Sequence, residues 1–288
     1  MKTNKTLKAF TVASLNLLNN NNHGIEGNFI ADRIPRIVSF INAEMPDSIG
    51  VQECDVGKDR GNMRTAVNEG IASSGYVCAQ EERWDVTTYA FKNFIWYNSN
   101  TTECSDSGQM WLSETPDIPS KGFGAKHYIS MGWAVLKNKL TGMSYLHVNT
   151  HLYAIGAYTE TPEERAAIRL KEAEALLAHI GALEDKYKVS SVFLTGDLNE
   201  AEGGAVYKKL TESLEDTRYL ANDTTDRITF HCFGSRSSVI DFCLCSIDKD
   251  VVNIDRFDVV EEYEGKLISD HSALLVDVSI KIKNGGTK

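Results

Sequence analysis

The sequence predicts an α/β protein, and two observations carry that expectation. Two stretches, residues 7–52 and 144–197, each read as strand, helix, strand. The polar residues that interrupt its apolar strands fall at or near strand ends, where α/β sheets usually carry their chemistry.

The first strand is expected from Leu7 to Leu17, delivering Asn16 near its end, followed by a loop rich in Asn and Gly. A helix over Asp32–Ala43 places Ile34, Ile37, Val38 and Ile41 on one side. Asp32 is its expected N-cap and Pro35 falls in its first turn, where a missing N–H does little harm. Ser48–Gln52 is a buried strand ending in Glu53. Residues 61–74 read as a helix, and Tyr76–Gln80 and Tyr89–Tyr97 as strands. Trp111–Pro116 leads into a loop over Asp117–Gly124. Trp133–Lys137 and Ser144–Leu152 form an antiparallel pair about Thr141-Gly142, the second delivering His151. Thr161-Pro162-Glu163-Glu164 combines an N-cap, a proline at the first helical position and a capping box, so a helix starts here and runs to about Tyr187. Ser191–Asp197 is a β-branched and aromatic strand, with Gly196 expected to turn the backbone and Asp197 and Asn199 to leave one face. Val239–Leu244 is a strand interrupted by Asp241, whose burial demands a partner. Ser269-Asp270-His271-Ser272 precedes a last strand over Ala273–Ile282, and 283–288 read as a frayed tail.

Composition narrows the function. The 288 residues are 42% hydrophobic and 24% charged, without a linker or fixed-period repeat, so one domain over 1–288 is expected. The formal charge is −10 and the basic residues are scattered, which argues against binding long duplex nucleic acid but not against a small phosphate ester. Six cysteines make no disulfide framework, and Cys243 and Cys245 on one strand face read as buried thiols rather than a zinc site. Polar residues interrupt the apolar segment at 9–18 and no cleavage site follows, so it reads as a strand and not a signal peptide. No stretch spans a membrane and a cytoplasmic location is expected.

Asn16, Glu53, His151, Asp197, Asn199, Asp241, Asp270 and His271 together supply four carboxylates, two amides and two imidazoles. Each alone has a structural explanation; as a set they fit metal-assisted hydrolysis. Oxygen-dominated ligation without cysteine suits Mg²⁺ or Mn²⁺ better than Zn²⁺.

Six short motifs stand in order: Ser14-Leu15-Asn16, Gln52-Glu53, Asn149-Thr150-His151, Gly196-Asp197-Leu198-Asn199, Ile240-Asp241-Phe242 and Ser269-Asp270-His271. In these the chain resembles the endonuclease/exonuclease/phosphatase superfamily with the deoxyribonuclease I-like fold. Ser107–Ser120, around Trp111-Leu112-Ser113-Glu114-Thr115-Pro116, is similar to a bacterial branch related to carbon-catabolite-repressor-type deadenylases and nocturnin. The resemblance implies a four-layer α/β/β/α sandwich with a metal site at one edge. It implies Glu53 as principal metal ligand, assisted by Asn16 and Asp270, with Asp197 orienting or deprotonating the attacking water. Asn199 would fix the water and a phosphate oxygen, His271 paired with Asp241 would stabilise developing charge, and His151 would bind the phosphate. Many relatives orient the histidine equivalent to His151 with a glutamate. The matching residues 88–93 hold no carboxylate, leaving Asn93 or a backbone carbonyl for that task. The expected activity is a divalent-metal-dependent phosphoesterase acting on a small-molecule, lipid-headgroup or short nucleic-acid phosphate, the alternatives being a DNA or RNA nuclease or a non-catalytic binding protein. No protein partner can be inferred.

Overall fold

The computed structural model describes residues 6–21, 23–55, 62–80, 92–154, 160–225 and 227–282. In chain order the elements are β1 (Thr6–Asn16), α1 (Ile30–Glu44), β2 (Ser48–Gln52), α2 (Met63–Ala72), β3 (Tyr76–Cys78), β4 (Phe94–Asn98), β5 (Thr102–Trp111), β6 (Ser130–Asn138), β7 (Ser144–His151), α3 (Pro162–Tyr187) and β8 (Ser191–Asp197). There follow α4 (Ala205–Leu210), β9 (Glu215–Asp216), α5 (Thr217–Leu220), β10 (Asp223–Thr224), β11 (Asp241–Ile247), β12 (Val252–Val260), β13 (Glu262–Tyr263), β14 (Lys266–Leu267) and β15 (Ala273–Lys281). Two mixed sheets stack, ordered β10-β12-β15-β1-β2-β4-β3 and β5-β6-β7-β8-β11-β9.

Side-chain alternation along the strands builds the layers. Ala13, Leu15, Ile49 and Val51 leave the first sheet on the side of α1 and α2 and meet Ile37, Phe40, Val67 and Ile71. Val148, Val192, Leu194 and Leu244 leave the second sheet toward α3 and meet Leu176, Ile180 and Leu183. The opposite parity, with Phe10, Val12, Tyr145, Phe193, Cys243 and Cys245, fills the layer between the sheets. Helix, sheet, sheet, helix is the four-layer sandwich expected from the sequence.

Followed toward the site, that inter-sheet layer turns polar. His147 bridges the sheets, Nδ1 to Ser48 Oγ and Nε2 to Thr195 Oγ1, both at 2.9 Å. Gln52 Nε2 donates to Asn149 Oδ1 at 2.6 Å, and Asn149 Nδ2 donates to the carbonyls of Val51 and Phe94. Apart from Gln52 Oε1, which meets no described donor, the polar atoms of this network are paired, and such a network registers one sheet against the other. Gly50 makes room for it, since a Cβ there would lie 2.4 Å from Thr195 Oγ1.

Some expectations change at the element ends. Helix α1 begins two residues early, at Ile30; Phe29 is its N-cap, while Asp32 sits at the third helical position and accepts the Phe29 N–H. Pro35 therefore lies beyond the first turn. Gly196 does not turn the chain, because β8 runs through it to Asp197. It permits close approach instead: a Cβ would fall 2.2 Å from the Thr150 carbonyl oxygen. Strand β5 has no counterpart among the expected elements; it is a sheet edge with exposed polar positions, so its pattern is weak. Cys243 and Cys245 are buried free thiols, as expected. Residues 89–91 of an expected strand and the tail at 283–288 lie outside the described residues. No helix among the described residues is long and apolar enough to cross a membrane.

Candidate active site

Strand register delivers the site. His151 on β7 pairs with Asp197 on β8, and Asp197 pairs in turn with Asp241 on β11, so three polar side chains form one row across the second sheet. Facing them, Asn16 ends β1 beside Gln52, and Glu53 follows at once. Asp270 and His271 precede β15, the antiparallel neighbour of β1.

Asp197 is the hub. Its Oδ1 accepts the Asn199 N–H at 2.8 Å, and its Oδ2 accepts Asn16 Nδ2 at 3.2 Å. The same Oδ2 lies 3.5 Å from His151 Nε2 and 3.8 Å from His271 Nε2. Asn16 also donates Nδ2 to Glu53 Oε1 at 3.2 Å, while its Oδ1 accepts the Leu18 N–H. In this geometry Asn16 positions two carboxylates with its nitrogen. Asn199 donates Nδ2 to the Leu152 carbonyl at 3.0 Å and to His151 Nε2 at 2.7 Å. That contact, rather than Asn93, engages the His151 imidazole, since Asn93 donates to Ser130 O. His271 donates Nδ1–H to Asp241 Oδ2 at 2.8 Å, under the Phe230 ring.

Burial alone would push the His271 imidazole down, but Asp241, Asp197 and Asp270 more than reverse this and hold it protonated well above its ordinary range. Burial, with Asp197 adding to it, keeps the Asp241 carboxyl above the ordinary carboxylate range despite His271. Glu53 behaves oppositely. Burial would raise it, yet His151, the Asn19 N–H, His271 and Asn16 together hold it below its usual value. Asp270 is raised by burial, and Glu53 pushes it further the same way. Glu53 and Asn199 both adopt left-handed backbone, φ 56° and 50°, a conformation that costs a non-glycine residue about 1–3 kcal/mol and concentrates at functional sites.

Sequence reasoning missed the groups that hold this arrangement. Asn19 gives Glu53 Oε2 both its backbone N–H, at 3.2 Å, and its side-chain amide. Arg33, fully buried on α1, uses its guanidinium on the carbonyls of Leu17, Leu18, Asn19, Asn21 and Asn28, clamping the loop that carries Asn19. Thr229 Oγ1 accepts the Ile240 and Asp241 N–H groups. Only the asparagine run at 19–22 offered any signal, and it was read as a loop.

Three groupings among the described residues could hold a cation. His23, Cys232 and Asp270 present donor atoms within 4.8 Å of one another, and so do Asp197, Asp241 and His271. There the imidazolium already lies between the two carboxylates and supplies the positive charge. Glu53 and Asp270, in contrast, are two carboxylates near enough for Glu53 to raise Asp270, which also meets His23 Nε2 at 3.2 Å. Hard oxygen donors crowded in this way fit a divalent ion of the Mg²⁺ or Mn²⁺ kind.

The fold is that of endonuclease/exonuclease/phosphatase proteins. An endonuclease/exonuclease/phosphatase family protein from Bacteroides thetaiotaomicron superposes with a TM-score of 0.79 at 24% identity, over 99% of this chain and 100% of its own. A mannosyl-6-phosphatase from the same organism gives 0.75 at 25% identity, over 93% and 99%. The human nocturnin catalytic domain, solved with bound sulfate, gives 0.68 at 18%, over 96% and 97%. No protein-family model matches the chain, and no curated protein matches it in sequence.

Proposed function

We propose that the protein is a divalent-metal-dependent phosphoesterase that hydrolyses a small phosphate ester by in-line attack of water. The observation that carries this reading is the convergence on Asp197 of Asn16, His151, Asn199 and His271, with Glu53 alongside. The mannosyl-6-phosphatase of the same fold supports a phosphomonoester as substrate. The inter-sheet layer shared by the two sheets supports a single domain over 1–288.

Glu53 and Asp270 would hold the cation, with Asn16 fixing Glu53. Bound there, it would neutralise charge that builds on the phosphoryl oxygens. Asp197 accepts the proton of the attacking water as the new P–O bond forms. His271 faces the same place with Nε2, its positive charge backed by Asp241, and stabilises the developing phosphorane charge. Asn199 and His151 would bind a phosphate oxygen by giving up their mutual contact for it. The ester P–O bond then breaks, the leaving oxygen takes a proton from water, and an alcohol and inorganic phosphate leave.

Hydrolysis of phenyl phosphate in Mg²⁺ is expected to vanish on chelation and return with added metal. Asp197→Asn and His271→Ala are each expected to lower kcat by about 10²–10⁴-fold with the fold intact by circular dichroism. Unchanged rates in both variants would refute the mechanism; a folded wild type with no hydrolysis of any ester would favour a binding protein on this fold.

A further inference from the structure

Beside Glu53 and His151 opens a cleft of about 520 Å³. Its walls carry Lys92, Lys121 and Lys126, and the one acidic residue among its described lining is Glu53. Tyr128, Ile129 and Tyr153 supply apolar surface between them. In a chain of net charge −10, three lysines around one opening are a local reversal of sign.

Their charges are not equivalent. Lys92 Nζ is paired with Asp55 Oδ1 at 2.6 Å. No described carboxylate lies within ion-pair distance of Lys121 or Lys126. Lys121 Nζ rests 5.4 Å from the centre of the Tyr128 ring. Glu160 acts on Lys126 only at a distance, its carboxylate accepting the Tyr153 hydroxyl at 3.1 Å.

The wall is tied to the catalytic strand. The Lys126 backbone N–H donates to Tyr153 Oη at 3.1 Å. Tyr153, two residues beyond His151, is fixed by Glu172 Oε2 on its N–H (2.9 Å) and by Arg169 on its carbonyl (3.2 Å). The Lys126 backbone therefore keeps a set position relative to His151, with its side chain on the cleft wall. Cationic side chains around a cleft with apolar walls focus the field on an anion inside it.

We propose that this cleft receives a second anionic group of the substrate, so that the protein acts on compact phosphate esters that carry a further phosphate or carboxylate. The scissile phosphate lies at Glu53 and His151, and the second anion lies against Lys121 and Lys126. The proposal rests on the phosphoesterase activity proposed above. A volume of this size suits a small metabolite, whose class spans about 300–1,000 Å³, rather than a polynucleotide track.

The test is steady-state kinetics on a matched set: phenyl phosphate, carboxyphenyl phosphate and phenylene bisphosphate, with a short single-stranded oligonucleotide as a fourth substrate. The two doubly anionic esters are expected to exceed phenyl phosphate by roughly tenfold in kcat/KM, mostly through KM, and less so at high salt. Carboxylate and bisphosphate arms report which second anion is preferred. A Lys121→Ala/Lys126→Ala variant is expected to lose the advantage while its activity on phenyl phosphate stays unchanged. Equal rates on all three esters, or an advantage that survives the double variant, would overturn the proposal and leave the phosphoesterase reading standing. Lysine-dependent preference for the oligonucleotide would overturn it in favour of a nuclease. If nothing is hydrolysed, the activity reading fails, and calorimetric binding of phenylene bisphosphate decides the cleft: lysine-dependent binding supports it, and no binding overturns it.

Discussion

Asp197 accepts the Asn16 amide and the Asn199 backbone N–H, and two imidazole nitrogens lie 3.5 and 3.8 Å from it. Its oxygens are thereby aimed, and a base held in one orientation needs little rearrangement during reaction. The charge of His271 depends on its neighbour: burial disfavours the imidazolium, and Asp241 is the first group that reverses this. A histidine needed in its protonated form loses activity as pH rises through its pKa. Asp241→Asn is therefore expected to move the alkaline fall of kcat/KM to lower pH, in addition to lowering the plateau. A pH–rate profile of wild type and variant measures this, and an unmoved alkaline limb would remove Asp241 from that role.

At the scale of elements, the site depends on a strand conformation at Gly196 that leaves no room for a Cβ and on one helix starting at a defined residue. Gly196 has φ 156°, and a Cβ there would press on the Thr150 carbonyl. Gly196→Ala is expected to destabilise the fold by about 1–3 kcal/mol through overpacking, read from urea unfolding. Helix α3 is capped reciprocally: Glu164 N–H donates to Thr161 Oγ1 at 3.2 Å, and Thr161 N–H to Glu164 Oε2 at 2.7 Å. Thr161→Ala removes half of that box and is expected to cost about 0.5–2 kcal/mol, measured the same way.

At the scale of the whole molecule, two buried groups make stability depend on pH in opposite senses. Burial lowers His147 from 6.5 to about 3, so it folds neutral; its contribution is present above 6.5 and lost as pH falls toward 3. Burial raises Glu172 from 4.5 to about 8, so it folds protonated; its contribution is present below 4.5 and lost as pH rises through 8. Between 6.5 and 8 only the Glu172 contribution of this pair changes. Unfolding midpoints across that window are expected to decline less steeply in Glu172→Gln than in wild type. Equal slopes would place the proton elsewhere.

The sequence by itself determined what is local or periodic. The capping box at Thr161, the strand at Ser191–Asp197 and the helix face carrying Ile37 and Ile41 were legible because backbone geometry and side-chain alternation act over a few residues. The eight candidate residues were legible because charged or amide groups at the ends of apolar strands are conspicuous. Strand β5 was not, because an edge strand exposed on one side has no apolar alternation to read. Neither were Arg33, whose carbonyl partners lie on a separate loop, nor Lys121 and Lys126, whose meaning comes from Tyr153 and His151 beside them. Only tertiary structure decided that His151, Asp197 and Asp241 share one row, that Asn16 meets Asp197 across two sheets, and that a basic cleft opens next to them. The physical reason is that these relations are set by inter-strand register and sheet stacking, which depend on contacts between residues far apart in the chain.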